Sequence, residues 1–351
     1  MRRPSWLERR GEGPLRRVAL LPLAAAALLY AAVAWLHRLV YRVGLRHPTR
    51  LGCRVVSIGN LLVGGSGKTP TAAWLAAELR RRGHKVALAS RGHGRRDREP
   101  VRVVSDGRFL HATSEQAGDE PLLLAAHAPG VPVLVARNRA WAGLRAISAF
   151  GAEVLLLDDG FQHHRLARDV EIVLFDGAGL GNGCILPRGP LREPLGALRY
   201  ADAIGVVDGP LPAEDEARLK RLAPGALRFA ARRRPAWLRP LGGGAAASPS
   251  SLAGVEVGML AGIARPEGLR RTLEALGARV IRERVFPDHH RYRPADVTDL
   301  DRHGGVWVTT EKDALKLPAT WMAGVRVLVL GIELEVEAPE RLLDWLEARL
   351  R

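Results

Sequence analysis

The chain has 351 residues, 53 Lys+Arg against 37 Asp+Glu, a formal net charge of +16 and 47% hydrophobic residues. This balance excludes a mainly disordered chain, and the length accommodates two domains with cores of their own. Two distant cysteines, Cys53 and Cys184, exclude a disulfide scaffold or a cysteine-rich zinc site and fit a reducing compartment.

Residues 1–54 hold eleven Arg against Glu8 and Glu12, so more than half of the excess charge lies in the first sixth of the chain. A nucleic-acid-binding protein more often spreads its basic residues over a folded face with aromatics between them, so no nucleic-acid partner is expected. Within this region Val18–Leu36 is a run of nineteen uncharged residues, preceded by Arg2, Arg3, Arg9, Arg10, Arg16 and Arg17 and followed by Arg38, Arg42, Arg46 and Arg50. A cleaved signal peptide and a buried core helix share this shape, but a helix in or on a membrane fits the flanks best. The run is alanine-rich, and cations on both sides favour an interfacial helix held by anionic lipid over a clean crossing.

After Arg50 the pattern changes to strands alternating with helices. Strands are predicted at Arg54–Ile58, Lys85–Ala89, Val131–Val135, Glu153–Leu157, Glu171–Phe175 and Ala203–Val207, and helices at Thr71–Arg82, Pro121–His127 and Arg139–Phe150. The polar, low-complexity Gly242–Ser251 follows a basic stretch, Arg232–Arg234, and reads as a boundary. Beyond it, strands near Val255–Leu260, Ala278–Phe286, Val306–Val308 and Val325–Leu330 form a second unit closed by an amphipathic helix, Pro339–Leu350. The expected fold is α/β: a P-loop NTPase-like, doubly wound, mostly parallel sheet with a second smaller α/β unit and an N-terminal hydrophobic helix. The corresponding domains are 1–50, 51–240 and 241–351.

The sharpest local signal is Gly59-Asn60-Leu61-Leu62-Val63-Gly64-Gly65-Ser66-Gly67-Lys68-Thr69, between a strand and a helix. Glycines let backbone N–H groups turn toward phosphate oxygens, and the helix N-terminus adds positive potential. Lys68 would reach the β- and γ-phosphates and Thr69 would ligate Mg²⁺, with Gly64, Gly65, Ser66, Gly67 and Pro70 completing the ATP cradle. Standard spacing puts a glycine where this chain has Leu62. Asp158 and Asp159 end the strand Glu153–Leu157, where a second Mg²⁺ ligand belongs; adjacent residues point opposite ways, so at most one faces the metal. Arg188, Arg192 and Glu193 lie in a Gly/Pro-rich loop suited to sugar or phosphate contacts. In the block after Val308, Thr310 fits a helix cap with Asp313 three residues on. Asp288-His289-His290 is poor spacing for zinc, and His163-His164 more plausibly shape a loop.

Taken together, GNLLVGGSGKTP (59–70), SRGHGR (90–95), GDEP (118–121), LDDGFQHHRL (157–166), GNGCILPRGPLREP (181–194), AGIARPEG (261–268), FPDHHRY (286–292) and TTEKDALKL (309–317) resemble the tetraacyldisaccharide 4'-kinase family in content and order. His93, Asn138 and Pro266 depart from the family's commoner residues. The resemblance implies transfer of the ATP γ-phosphate to the 4'-hydroxyl of a tetraacyl-disaccharide 1-phosphate, forming lipid IV-A in lipid A biosynthesis, with ATP and Mg²⁺. It implies a general base, Asp119, assisted by His289. It implies substrate contacts from Asn60, Arg91, Glu120 and Gln162 besides the 188–193 loop, and a nucleotide contact from the TTEKD block. The expected partners are the lipid acceptor and a membrane surface, with no obligatory protein partner, and the expected location is the inner membrane, catalytic domains on the cytoplasmic face. The alternative is a P-loop ATPase acting as a partner switch or metal-centre chaperone. Such proteins commonly carry a lysine just before the paired glycines, where this chain has Val63.

Overall fold

Strands buried on both faces read as continuous apolar runs, and the chain builds its centre from them. In the computed structural model, which describes residues 19–300, 305–322 and 324–351, twelve strands form one sheet in the order β10-β9-β11-β12-β8-β7-β6-β1-β5-β2-β4-β3. The strands are β1 (Arg54–Gly59), β2 (Val86–Ser90), β3 (Val101–Ser105), β4 (Val133–Ala136), β5 (Val154–Asp158), β6 (Val170–Asp176), β7 (Ala203–Val207), β8 (Leu227–Pro240), β9 (Glu256–Ala261), β10 (Arg279–Val285), β11 (Val306–Thr310) and β12 (Arg326–Val336). All pairings are parallel except β3 with β4 and β8 with β12.

The helices are α1 (Leu21–Arg42), α2 (Lys68–Arg81), the single turn α3 (Ser114–Ala117), α4 (Asp119–His127), α5 (Arg139–Phe150), α6 (Ala213–Leu222), α7 (Pro266–Ala275), the short α8 (Glu311–Ala314) and α9 (Pro339–Leu350). Helix α2 buries Ala72, Leu75, Ala76 and Leu79, a stripe at helical spacing, against β1 and its neighbours.

β3 and β8 carry no clear apolar alternation and escape the sequence reading. The basic stretch Arg232–Arg234 is the middle of β8. Arg232 and Arg234 lie two residues apart, so both reach the same face, and both bond Glu335 of the antiparallel β12 (2.8 Å each). β8 also pairs with β7 through Leu227–Ala231 and with β12 through Ala231–Pro240, so the two α/β units share one continuous sheet. A β-bulge leaves Ala236 of β8 unpaired opposite the Gly331–Ile332 step of β12, where the Trp237 indole lies so close that a Cβ on Gly331 would approach it to 2.0 Å. The C-terminal helix returns to the first lobe: Leu342, Leu343 and Leu346 of α9 join the core around α2 and β1.

Helix α1 extends beyond the apolar run to Arg42 and buries only Ala27, while Leu28 and Leu29 are 74% and 69% exposed. At 1.5 Å per residue it is about 33 Å long, and it is the one helix among the described residues long and apolar enough to cross a membrane. Its last turns pack on the first lobe. His37 and Tyr41 meet the His164 ring at 5.4 and 6.3 Å, and Arg38 lies over Phe161 (4.9 Å) and Tyr200 (4.8 Å). The basic residues Arg2–Arg17 and the start of the apolar run at Val18 lie outside the described residues.

The lobes also meet where α4 faces α8. His127 Nε2 is 2.9 Å from Glu311 Oε1, and this hydrogen bond raises the His127 pKa above the ordinary 6.5 despite opposing burial. A raised folded-state value means that the protonated pair stabilises the fold fully below about pH 6.5 and that this contribution is lost as pH rises through the folded value. Thermal unfolding of wild type should therefore lose stability between about pH 6 and pH 8 more steeply than that of His127→Gln; equal slopes would show that the pair contributes nothing.

Candidate active site

The phosphate-binding loop is held from within. Gly67 takes φ +79°, a left-handed conformation that favours glycine, and starts α2 with its N–H groups facing the loop. Lys68 Nζ donates to the buried Asn60 Oδ1 (3.2 Å), and Asn60 Nδ2 reaches the Gly64 carbonyl (3.4 Å). Gln162 Nε2 donates to the Asn60 carbonyl (2.9 Å). Asn60 and Gln162, expected to touch substrate, thus shape the loop and set its lysine. The buried Ser66 hydroxyl has no protein partner. Pro70 sits in the first turn of α2, where a missing N–H costs nothing.

The two aspartates diverge. Thr69 Oγ1 donates to Asp158 Oδ2 (3.3 Å), while Asp158 Oδ1 is buried without a partner. Burial, with the Glu120 and Asp159 charges, pushes the Asp158 carboxyl up to about 8 against the opposing pull of Lys68 and Thr69. A buried, unsatisfied carboxylate oxygen beside a threonine hydroxyl suits a hard cation, so Thr69 and Asp158 fit Mg²⁺. Asp159, at φ +56°, turns to Arg192, whose Nη1 lies 2.9 and 3.1 Å from its two oxygens, and to Lys68 at 3.7 Å. Burial raises its pKa, but Lys68 and Arg192 outweigh that and hold it below the usual carboxylate range. Behind it, the buried Arg139 donates to the Asp159 carbonyl (3.2 Å) and lies 3.2 Å from His163 Nδ1; burial lowers this guanidinium to about 10. Sequence reasoning passed over Arg139, because an arginine opening an amphipathic helix carries no mark of burial.

Glu193, next to Arg192, is buried and paired with Arg38 of α1 at 2.8 Å. Burial raises the Glu193 pKa, and the Arg38 charge opposes it. Arg188 lies partly buried in the same loop, its carbonyl accepting from Asn182 Nδ2 (2.9 Å). Arg91 is exposed and lines a separate cavity of about 380 Å³ with His93, Arg95 and Arg137.

Asp119 is buried at the first turn of α4, and its Oδ2 lies 3.3 Å from His289 Nδ1 and 3.4 Å from Lys316 Nζ. Burial raises this carboxyl, but His289 and then Lys316 outweigh it and hold it below the usual range. His290 is not part of this pair: it stacks on Phe286 at 4.4 Å and bonds Asp296 (3.0 Å). Thr310 caps α8 by accepting from the Asp313 N–H (3.1 Å). The side chains of that block turn to α4 and the Asp119–His289 pair: Glu311 to His127, Lys312 to His289 (3.3 Å) and Lys316 to Asp119. One cleft of about 1080 Å³ is lined by Asn60, Gly64–Ser66 and Asp176 on one side and by Ala264–Gly268 and Phe286–Asp288 on the other.

A phosphate loop on one wall of the cleft, a threonine–aspartate cation site at the start of the helix that follows the loop, and an Asp–His pair next to the Phe286–Asp288 wall describe a phosphotransferase. A family profile described as tetraacyldisaccharide-1-P 4'-kinase matches residues 17–351. The chain belongs to this family. The kinase is 44% identical over 357 residues to the tetraacyldisaccharide 4'-kinase of Anaeromyxobacter sp. (strain K), covering 98% of this chain and 93% of the relative. It is 41% identical to that of Dechloromonas aromatica (strain RCB), covering 99% and 97%. A crystal structure described as the "apo" form of LpxK from Aquifex aeolicus in complex with ATP superposes with a TM-score of 0.78 at 31% identity, covering 95% of this chain and 99% of that one. The kinase is therefore an ATP-dependent enzyme of lipid A biosynthesis, and the partner-switch ATPase alternative is not favoured.

Proposed function

We propose that this cleft transfers the γ-phosphoryl group of ATP to the 4'-hydroxyl of a tetraacyl-disaccharide 1-phosphate, with Asp119 as the base. The observation that carries this reading is the single cleft bounded by the Gly64–Ser66 loop and by the Phe286–Asp288 segment that leads into His289. Lys68, whose position Asn60 and Asp159 fix, would meet the β- and γ-phosphates. Thr69 and Asp158 would hold Mg²⁺, which would supply charge neutralisation during phosphoryl transfer. Both protein contacts of Asp119 fall on Oδ2, so Oδ1 is the oxygen for the acceptor hydroxyl. The 4'-oxygen bonds to the γ-phosphorus, the bond to the β-phosphate oxygen breaks, the hydroxyl proton passes to Asp119, and ADP leaves. Of the residues expected to touch the acceptor, Arg192 acts through Asp159, Glu193 is held by Arg38, and Arg91 lines the separate cavity. The lobes 51–240 and 241–351 both supply the site.

The exposed face of α1 rests in the cytoplasmic face of the inner membrane, where the acceptor is anchored, and the catalytic lobes face the ATP-containing side. Neither a nucleic acid nor an obligatory protein partner is needed. Labelled γ-phosphate should appear on the tetraacyl acceptor in detergent; ATP turnover driven by a protein or DNA with no labelled lipid would overturn the reading. Because Arg38 pairs with the buried Glu193, deleting the whole helix would confound anchoring with site damage. Replacing Leu28, Leu29 and Val33 by Glu spares that contact. This variant should leave the membrane fraction and use lipid acceptor at least ~10-fold less well, with KM for ATP unchanged. Retention on membranes through a high-salt wash would place the anchor elsewhere.

A further inference from the structure

The side chains of the 309–317 block carry two lysines four residues apart, and each meets one member of the catalytic pair. Lys316 Nζ is 3.4 Å from Asp119 Oδ2 and 3.4 Å from Asp313 Oδ1. Lys312 Nζ is 2.8 Å from Asp288 Oδ1 and 3.3 Å from His289 Nε2. An ammonium has three donors and no acceptor. Its contact with Nε2 therefore makes Nε2 the acceptor and leaves the ring proton on Nδ1, 3.3 Å from Asp119 Oδ2.

The surroundings do not fix this on their own. Asp288 Oδ2 lies 3.9 Å from Nε2, so a carboxylate faces the ring at each nitrogen and both compete for its proton. His93 is the other ring nearby, at 5.7 Å between centroids. Lys312 resolves the competition by occupying Nε2 from one side and Asp288 from the other. We propose that Lys312 is a positioning residue for phosphoryl transfer: it holds His289 as the Nδ1–H tautomer, which donates to Asp119 and leaves Asp119 Oδ1 to the acceptor hydroxyl. The proposal rests on the reading of Asp119 and His289 as the catalytic pair.

The test uses the full-length protein, labelled with ¹⁵N-histidine in detergent micelles, and two-bond ¹H–¹⁵N correlations that distinguish the two tautomers. His289 is assigned by the signal lost in His289→Gln. Wild type should show the Nδ1–H pattern for this ring. Lys312→Met should lose that pattern and lower kcat by ~10-fold or more with KM for ATP unchanged, as expected when an orienting partner is removed. Lys312→Arg, another donor without an acceptor, should restore the pattern and most of kcat. An Nε2–H pattern in wild type overturns the proposal without reference to any variant that fails to fold. So does an unchanged pattern in Lys312→Met, or a loss confined to KM for ATP, which would make Lys312 a nucleotide contact. The catalytic role of the pair is read separately, from kcat of Asp119→Asn, so failure of that reading is distinguishable from failure of the tautomer assignment.

Discussion

Lys68→Ala is expected to lower kcat by ~10³-fold or more while the unfolding temperature stays close to that of wild type. The side chain lies on the loop at the start of α2 and belongs to no hydrophobic cluster; what it contributes is a cation aimed at the transferring phosphoryl group. Its aim comes from Asn60 at 3.2 Å and Asp159 at 3.7 Å, so Lys68→Arg should not rescue. A planar guanidinium presents its charge in a different shape and place. Single-turnover transfer to the lipid acceptor, with circular dichroism of the same preparation, checks the expectation. Activity near wild type in a folded Lys68→Ala protein would remove the loop from the mechanism.

The second large effect is expected at the Asp–His pair. Asp119→Asn and His289→Ala should each reduce kcat by ~10²-fold or more with a smaller change in KM for ATP. The proton of a sugar hydroxyl leaves late in a loose phosphoryl transfer, so the carboxylate mainly orients the nucleophile, and the imidazole at 3.3 Å orients the carboxylate. Two residues acting as one unit give non-additive losses, so the double variant should be little worse than the poorer single one. Additive losses, or an Asp119→Asn enzyme that keeps kcat and loses only lipid affinity, would make Asp119 a binding residue. Asp159 is then a poor substitute base, because Arg192 already occupies both of its oxygens.

The local parts of this site were legible in the sequence, and the long-range ones were not. A strand running into Gly64-Gly65-Ser66-Gly67-Lys68-Thr69 announces phosphate binding because the chemistry is carried by consecutive residues. The divergence of Asp158 and Asp159 follows from adjacent side chains pointing apart, although nothing in the sequence says that Arg192 would take the second one. The pairing of Asp119 with His289 spans 170 positions and came only from resemblance. Arg38 over Phe161 and Tyr200 was invisible for another reason: an arginine after an apolar run reads as a membrane flank, and here it is also a structural contact with the lobe. β8 was hidden by three successive arginines, of which Arg232 and Arg234 meet Glu335, about a hundred residues away, and Arg233 meets Asp208. Glu311-Lys312-Asp313 reads as a capped helix start, which it is, but the direction in which Lys312 points is a property of the assembled lobes.

The antiparallel β8–β12 ribbon determines how the cleft can open. A hinge is a short stretch of chain whose dihedral angles absorb a rotation, and two bodies joined that way swing apart freely. Here the lobes are joined by two hydrogen-bonded strands inside a continuous sheet, so wide separation would break ladder bonds along the ribbon. The motion the ribbon leaves cheap is torsion about its own length. The bulge opposite Gly331–Ile332, with Trp237 laid over the glycine, is the point where added twist is most easily taken up. Opening that keeps the ladder intact is then a wringing of the sheet through small angles. A side chain added at residue 331 would strike the Trp237 ring and force this crossing to shift, at a position remote from the phosphate loop in sequence.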